Sequence, residues 1–388
     1  MNKSKEKTIP LLSFFSGGGF MDMGFIKAGF DIVWTNEFDH TFAELYGQGI
    51  SSWKKNRSSE KIETKEIISN QNSIKDITSN QIIKEAFDGK KPVKFGIIGG
   101  PPCQDFSING NLNGFQGEKG TLTDAYLYKI LELQPSFFVM ENVTGLIKVK
   151  KNAKHFFELL KAMEDDYLID WGVLNSIEFG VPQSRERIFV VGISKKQYEV
   201  ESVSLNIKGQ WFPFQENVTH VNPKTNFKWP QAAQYGSLVL KDVDIPYELC
   251  LESCLVKPEE EHSIPNASEY FNLKGDVEKF SMIKEGETNR PSFKRLHRFK
   301  YSPTACYGNN EVHLHPYQSR RLSVRETLRI QGVEDSYILT TKGMLSKKFK
   351  MIGNGVPTPL AEGLAKTLKS FIGGLKVKLD VIPVNSDN

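Results

Sequence analysis

Gly99-Gly100-Pro101-Pro102-Cys103-Gln104-Asp105-Phe106-Ser107 carries the side chain with the most reactive chemistry in this sequence. The apolar run Phe95–Ile98 precedes it, so Cys103 falls in a loop after a predicted strand, stiffened by two prolines. A cysteine is more often a small core residue, but Pro-Pro flanking suits a loop-borne thiol, and as a thiolate that thiol is a nucleophile. Glu141-Asn142-Val143 follows another apolar run, Phe137–Met140, and places a carboxylate at a second strand end. On the same sheet edge as the thiol, it can serve as a general acid; taken alone, it is as readily a surface glutamate. In Gln183-Ser184-Arg185-Glu186-Arg187 two arginines stand two positions apart and point the same way in extended chain. They can meet an anionic or carbonyl-bearing substrate, although an isolated pair would be read as a solvated turn.

A ligand-binding turn is written nearer the start. The strand Leu11–Phe15 runs into Ser16-Gly17-Gly18-Gly19 and then a helix. Glycines let backbone approach a ligand closely, and free amides at a helix start favour electron-rich groups. Glu37 follows at the end of the next strand, where a carboxylate can bind ribose hydroxyls. A tight turn plus a surface glutamate explains the same residues about equally well. The spacing is not G-x-G-x-x-G, so a dinucleotide pyrophosphate is not the favoured ligand. Ile108–Gly120 holds Gly110, Gly114, Gly117 and Gly120, a composition that suits a lid.

These loops need a scaffold. Strand-like runs (Ile9–Phe15, Asp31–Thr35, Phe95–Ile98, Phe137–Met140, Gly172–Leu174, Arg187–Ile193) alternate with helical stretches (Met21–Ala28, Thr121–Leu133, Lys154–Met163). That alternation predicts an α/β fold, a Rossmann-like doubly wound sheet with ligands at the carboxyl ends of its strands. Gly47–Ser73 is polar and reads as a surface insertion. From about Ser194 periodicity weakens, with Trp211, Pro213, Trp229 and Pro230, which predicts a smaller, irregular inserted domain. Helical character returns from Lys347 to Leu375. The expected division is a catalytic and ligand-binding domain over 1–193, rejoined by 346–388, around a second domain over 194–345.

The bulk numbers exclude more than they select. In 388 residues, 39% are hydrophobic and 25% charged, so large cores are available and general disorder is not expected. A net charge of +4 permits a polyanionic partner without requiring one. No stretch reads as a signal peptide or membrane span. Four cysteines are too sparse for a disulfide framework, and Cys250, Cys254 and the group Cys306, His313, His315 read as ordinary core or surface residues. A soluble, cytoplasmic monomer without a metal or membrane partner is the expectation.

Taken in order, these stretches resemble the cytosine-5 DNA methyltransferase family, of the bacterial restriction-modification type. Phe14–Phe25 is similar to its cofactor loop, Gly99–Ser107 to its nucleophile loop, Glu141-Asn142-Val143 to its acid motif and Gln183–Arg187 to its base-binding motif. Arg321–Glu326 with Gln331-Gly332 resembles the motif that supports the recognition domain, and Gly353-Asn354-Gly355-Val356-Pro357 the one that closes the cofactor site. Two positions depart from the pattern. Phe20 stands where the family usually has glycine, and Gly355 where a small side chain is more usual.

The resemblance implies an S-adenosylmethionine-dependent enzyme that methylates carbon 5 of cytosine in double-stranded DNA. Its site residues would be Cys103 as nucleophile, Glu141 holding ring nitrogen 3 protonated, Arg187 on the base's carbonyl oxygen and Arg185 positioning a loop or phosphate. Phe15, Ser16, Gly17, Gly18, Gly19, Glu37, Phe38, Asp76, Ile77, Pro102, Leu122, Asn354, Gly355 and Val356 would hold the cofactor. The region 194–319 would be the target-recognition domain. There Phe293–Tyr301 interleaves basic and aromatic residues, and Lys294, Arg295 and Arg298, with Gln104 and Ser107, are candidate DNA contacts. A restriction endonuclease for the same site is the implied biological counterpart. Three rivals are open to test. One is a cytosine-5 transferase acting on transfer RNA, disfavoured by the long variable region. Another is a Rossmann oxidoreductase, disfavoured by Cys103. The third is an inactive DNA-binding module, disfavoured by an intact Cys, Glu and Arg set.

Overall fold

The computed structural model describes residues 8–57, 67–102, 121–200, 210–273, 277–304 and 312–378. Strand and helix alternate through its first half. β1 (Ile9–Phe14) leads to α1 (Phe20–Lys27), β2 (Phe30–Asn36) to α2 (His40–Arg57) and β3 (Ile68–Asn70) to α3 (Ser79–Phe87). β4 (Gly96–Gly99), α4 (Leu122–Leu133), β5 (Phe137–Val143), α5 (Gly145–Lys148), α6 (Lys150–Lys161), β6 (Tyr167–Asn175) and β7 (Glu186–Ser194) follow. The strands form one seven-stranded sheet in the order β3-β2-β1-β4-β5-β7-β6. β1 to β5 pair in parallel, whereas β7 is antiparallel to both its neighbours.

The apolar runs form strands because both faces of the sheet are covered, so adjacent residues are buried in opposite directions. Leu11, Ile98 and Phe137 enter one core, and Leu12, Ile97 and Phe138 enter the other. Since β1 lies between β2 and β4, the order of strands reverses there. α1 and α4, the helices that follow β1 and β4, pack in opposite cores of the sheet, and this switch opens a crevice at its carboxyl edge.

The chain then runs through α7 (Pro223–Asn226), α8 (Val277–Ser281) and a two-stranded parallel ribbon, β8 (Lys294–Arg295) with β9 (His313–Leu314). It returns by α9 (Val324–Ile330), α10 (Leu345–Asn354) and α11 (Thr358–Gly374). α11 packs on α1 through Leu360, Ala361, Leu364 and Leu368, in the same core as Leu11 and Phe25.

Two expectations need correction. The polar stretch from Gly47 is not a surface insertion at its start. α2 continues to Arg57, and Phe42, Leu45, Tyr46, Gly49, Ile50 and Trp53 form one buried stripe at helical spacing. A polar outer face masked that stripe in the composition. The boundary at residue 194 is also not a packing boundary. Tyr198, Val200, Trp211, Phe212 and Phe214 belong to the first core of the sheet, because the antiparallel β6–β7 pair leaves an apolar flank to cover. At the other end, Val324, Leu328, Tyr337 and Leu339 share a core with α2 and α10.

Candidate active site

Strand pairing brings the acid and an arginine together. β5 and β7 pair so that Glu141 faces Phe189 and Val143 faces Arg187. Arg187 is therefore the diagonal neighbour of Glu141 on the same face, within reach of a long side chain. Its Nε lies 2.9 Å from Glu141 Oε1. Burial raises the Glu141 carboxyl above the usual range and outweighs the opposing pull of Arg187 and Arg185. A carboxyl so placed holds its proton more tightly than a solvated one. Gly100 makes room for it, since a methyl group there would lie 2.7 Å from Glu141 Oε2.

The next residue ties two strand ends together. Asn142 Nδ2 donates to the carbonyl of Pro101 at 3.0 Å, tying the loop after β4 to the end of β5. Cys103, Gln104 and Ser107 lie outside the described residues, as do the four lid glycines and Cys306. The two described cysteines are unsuited to nucleophilic work. Burial pushes the Cys250 thiol up to about 11 and the Cys254 thiol up to about 12.

The turn after β1 is tightly coiled. Phe15 has φ +55°, and Gly17 and Gly19 have φ +52° and +75°. A side chain at Gly19 would also strike the Tyr46 ring at 2.6 Å, so glycine is required twice over. Gly17 N donates to Glu37 Oε2 at 2.9 Å, and Asp39 N donates to Oε1 at 2.8 Å, so the carboxylate braces the turn that it faces. Each oxygen keeps acceptor capacity. Ser16 Oγ is buried and has no hydrogen-bond partner among the described residues, as expected of a wall that awaits a polar ligand. Phe38 is 67% exposed beside Glu37 and offers a free aromatic face. Asp76 and Pro102 are exposed and Leu122 is half-buried at the start of α4, whereas the Ile77 side chain belongs to the second core. The open acceptors of Glu37, the Ser16 hydroxyl and the Phe38 ring give this crevice both polar and aromatic groups.

The C-terminal segment closes on this turn. Arg185, buried, donates from Nη2 to the carbonyl of Gly353 at 2.8 Å, and Gln331 Nε2 donates to that of Ile352 at 2.8 Å. Asn354 is exposed, Gly355 half-buried and Val356 buried in the first core. Arg185 thus ties the start of β7 to the segment that closes on the glycine turn.

The basic stretch over Phe293–Tyr301 turns out otherwise than expected. Arg295 is buried, and its guanidinium donates to the carbonyls of Ile283, His315 and Phe280 at 2.9, 2.6 and 2.7 Å. Arg298 grips the buried Glu285 with Nε at 2.8 Å and Nη2 at 2.6 Å. Both arginines stack on tyrosines, Tyr235 and Tyr317. They hold the second region together through these contacts. The aromatics of the stretch pack elsewhere, Phe293 on Phe280 and Tyr301 on Trp229, so neither they nor the arginines form one basic-aromatic face. Lys294 is half-buried on β8.

Gly100 and Asn142 were read only as members of their motifs, and Tyr337 was not singled out. Tyr337 donates its phenol to the carbonyl of Gly18 at 2.8 Å across the fold, and nothing local to either residue announces the contact.

An open α/β sheet of this order, with a buried carboxyl at one strand end and a glycine turn at another, defines a methyltransferase-type fold. Over residues 9–370 the chain matches the family model described as C-5 cytosine-specific DNA methylase, and it belongs to that family. It is 38% identical over 379 residues to the Type II methyltransferase M.NmeDI of Neisseria meningitidis serogroup C, covering 96% of this chain and 86% of that one. It is 30% identical over 371 residues to the Type II methyltransferase M.FnuDI of Fusobacterium nucleatum, covering 93% and 94%. Among solved structures, the Dnmt2 methyltransferase of S. pombe superposes with a TM-score of 0.57 at 16% identity, over 94% of this chain and 99% of that one, a likeness of fold. The chain is a DNA cytosine methyltransferase. Among the described residues no helix is long and apolar enough to cross a membrane.

Proposed function

We propose that this enzyme transfers the methyl group of S-adenosylmethionine to carbon 5 of a cytosine flipped out of duplex DNA, through a covalent adduct with Cys103. The observation that carries the reading is the ion pair of buried Glu141 with half-buried Arg187, fastened through Asn142 to the backbone just before Cys103. Carbon 5 is too weak a nucleophile to attack a sulfonium methyl unaided. The Cys103 thiolate adds to carbon 6, and the displaced electron pair makes carbon 5 nucleophilic. Glu141, with its raised affinity for a proton, keeps nitrogen 3 protonated, and Arg187 stabilises charge on the carbonyl oxygen. S-adenosylmethionine supplies the electrophilic methyl when bound in the crevice lined by Glu37, Ser16 and Phe38. Loss of the carbon 5 proton then expels the Cys103 sulfur. The base must leave the stack to be reached, at a cost of roughly a few kcal/mol.

With Arg295 and Arg298 occupied, phosphate contacts are better sought beside the acid. Lys148, Lys150, Lys151 and Lys154 are exposed in the chain that continues from Glu141-Asn142-Val143. Lys148 lies 3.7 Å from Glu186 and Lys154 3.9 Å from Glu158, exposed pairs of little strength. Lys150 and Lys151 sit in the first turn of α6, where no acidic residue offsets them and positive charge opposes the helix dipole. Such placement weakens the helix and favours a polyanion.

The similarity to type II methyltransferases supports a role as the modification arm of a restriction system, alongside an endonuclease for the same site. Bisulfite sequencing of DNA from cells expressing the protein tests the reading. Protection of one cytosine within a fixed sequence is the expected result. Uniform conversion together with methylated RNA would replace DNA by RNA as substrate.

A further inference from the structure

Phe20 and Gly355, the two positions that depart from the family pattern, are in contact. A methyl group on Gly355 would lie 2.3 Å from Cδ2 and 2.9 Å from Cε2 of the Phe20 ring, far inside any carbon–carbon contact. Nothing in the backbone asks for glycine there, because its φ of −66° and ψ of 152° suit any residue. The ring alone bars a side chain. On the opposite wall, a methyl group on Gly18 would lie 3.1 Å from Cε1 of the same ring. Phe20 is 1% exposed, packs edge-on against Tyr337 at 5.5 Å, and accepts a hydrogen bond at its carbonyl from Thr358 Oγ1 at 3.3 Å. Tyr337 in turn enters space left by Gly49, where a methyl group would meet its ring at 2.0 Å.

We infer that Phe20 is a positioning residue for the methyl-donor site, its ring being the spacer between the glycine turn 16–19 and the segment 353–356. Bulk missing at residue 355 is supplied by residue 20, and a close-packed interior transmits the width of that spacer to both walls of the crevice. Phe20 is too buried to line the crevice broadly; it acts through the backbones of Gly18, Gly19 and the closing segment. The inference rests on reading this crevice as the S-adenosylmethionine site.

The test is a double-mutant cycle of Gly355→Ala, Phe20→Ala and both together in the full chain. Calorimetry with S-adenosylmethionine, thermal unfolding without ligand, and steady-state kinetics are the readouts. Each single variant should weaken donor affinity by about ten-fold or more and raise the donor KM, with kcat at saturating donor within about two-fold. The double variant should regain affinity to within about three-fold of the natural protein. A Gly355→Ala variant that binds like the natural protein would overturn the inference, as would a double variant showing the product of the two single losses. Should Gly355→Ala not fold, the double variant decides: folded and binding supports the spacer, unfolded refutes it. A natural protein that binds no S-adenosylmethionine would sink the reading of the crevice instead, while the ligand-free unfolding midpoints would still decide whether the two positions are coupled.

Discussion

Asn142 Nδ2 donates to the carbonyl of Pro101 across 3.0 Å, so the strand that carries Glu141 also holds the backbone that leads into Cys103. Asn142 thus adds a side-chain tie to the direct pairing of β4 with β5. Asn142→Ala leaves that buried carbonyl without its partner and releases the loop. The expected outcome is a fall in single-turnover methyl transfer of about ten-fold or more, since small misplacements of a nucleophile are costly. Donor affinity by calorimetry should hold. Unchanged single-turnover rates would show that the loop is fixed elsewhere.

Asp22 predicts a pH dependence of stability. It is fully buried under the glycine turn, accepting from Ser13 Oγ at 2.7 Å and Tyr46 Oη at 2.9 Å. Burial raises its carboxyl from 3.8 to about 6, against the pull of those two hydroxyls and Lys54. A raised acid is favourable to the fold while protonated. Its contribution is therefore complete below about pH 4 and is lost as pH rises through about 6, a change on the order of 3 kcal/mol. Thermal unfolding across that window should show the natural protein losing ground to Asp22→Asn as pH rises, then a constant difference above it. A difference that does not vary with pH would assign the burial cost elsewhere.

What the sequence discloses follows from how local each signal is. The central strands were legible because both faces are buried, which leaves uninterrupted apolar runs such as Phe95–Ile98 and Phe137–Met140. Cys103, Glu141, Arg187 and Glu37 could be singled out because each sits in a short motif at a strand end or turn. α2 was missed because Trp53 and Ile50 are spaced among lysines, serines and asparagines that dominate any composition window. Arg295 and Arg298 misled because their partners, the carbonyls of Ile283, His315 and Phe280 and the carboxylate of Glu285, lie outside the basic stretch and only the fold brings them to it. The contact of Phe20 with Gly355 joins opposite ends of the chain, and only the closed fold brings them together.

Those two arginines and the lysines near Glu141 should separate cleanly by experiment. Replacing Lys148, Lys150 and Lys151 by Ala removes exposed charge. DNA affinity should weaken alike for all sequences, and the slope of log affinity against log salt should flatten by about two to three, with the unfolding midpoint maintained or raised. Arg298→Ala strands the buried Glu285 and should cost about 3 kcal/mol or more of stability. An unchanged salt slope in the triple-lysine variant would move the phosphate track to another surface.

The covalent step has its own test. In a duplex carrying 5-fluorocytosine at the target, the Cys103 sulfur can add to carbon 6 and carbon 5 can accept the methyl group, but fluorine cannot leave as a cation. Elimination stalls, and a protein–DNA complex that survives denaturation should accumulate only when S-adenosylmethionine is present. Cys103→Ala should form none yet still bind DNA, because the flipped base keeps its contacts to Glu141 and Arg187. Cys250→Ser and Cys254→Ser should trap normally, since burial holds both thiols protonated, at about 11 and about 12. Glu141→Gln keeps the side chain's shape but loses the proton that nitrogen 3 needs, so trapping should slow by about a hundred-fold or more. Mass spectrometry that placed the adduct on any residue but Cys103 would overturn the mechanism, and no adduct on a proven target sequence would remove covalent catalysis from it altogether.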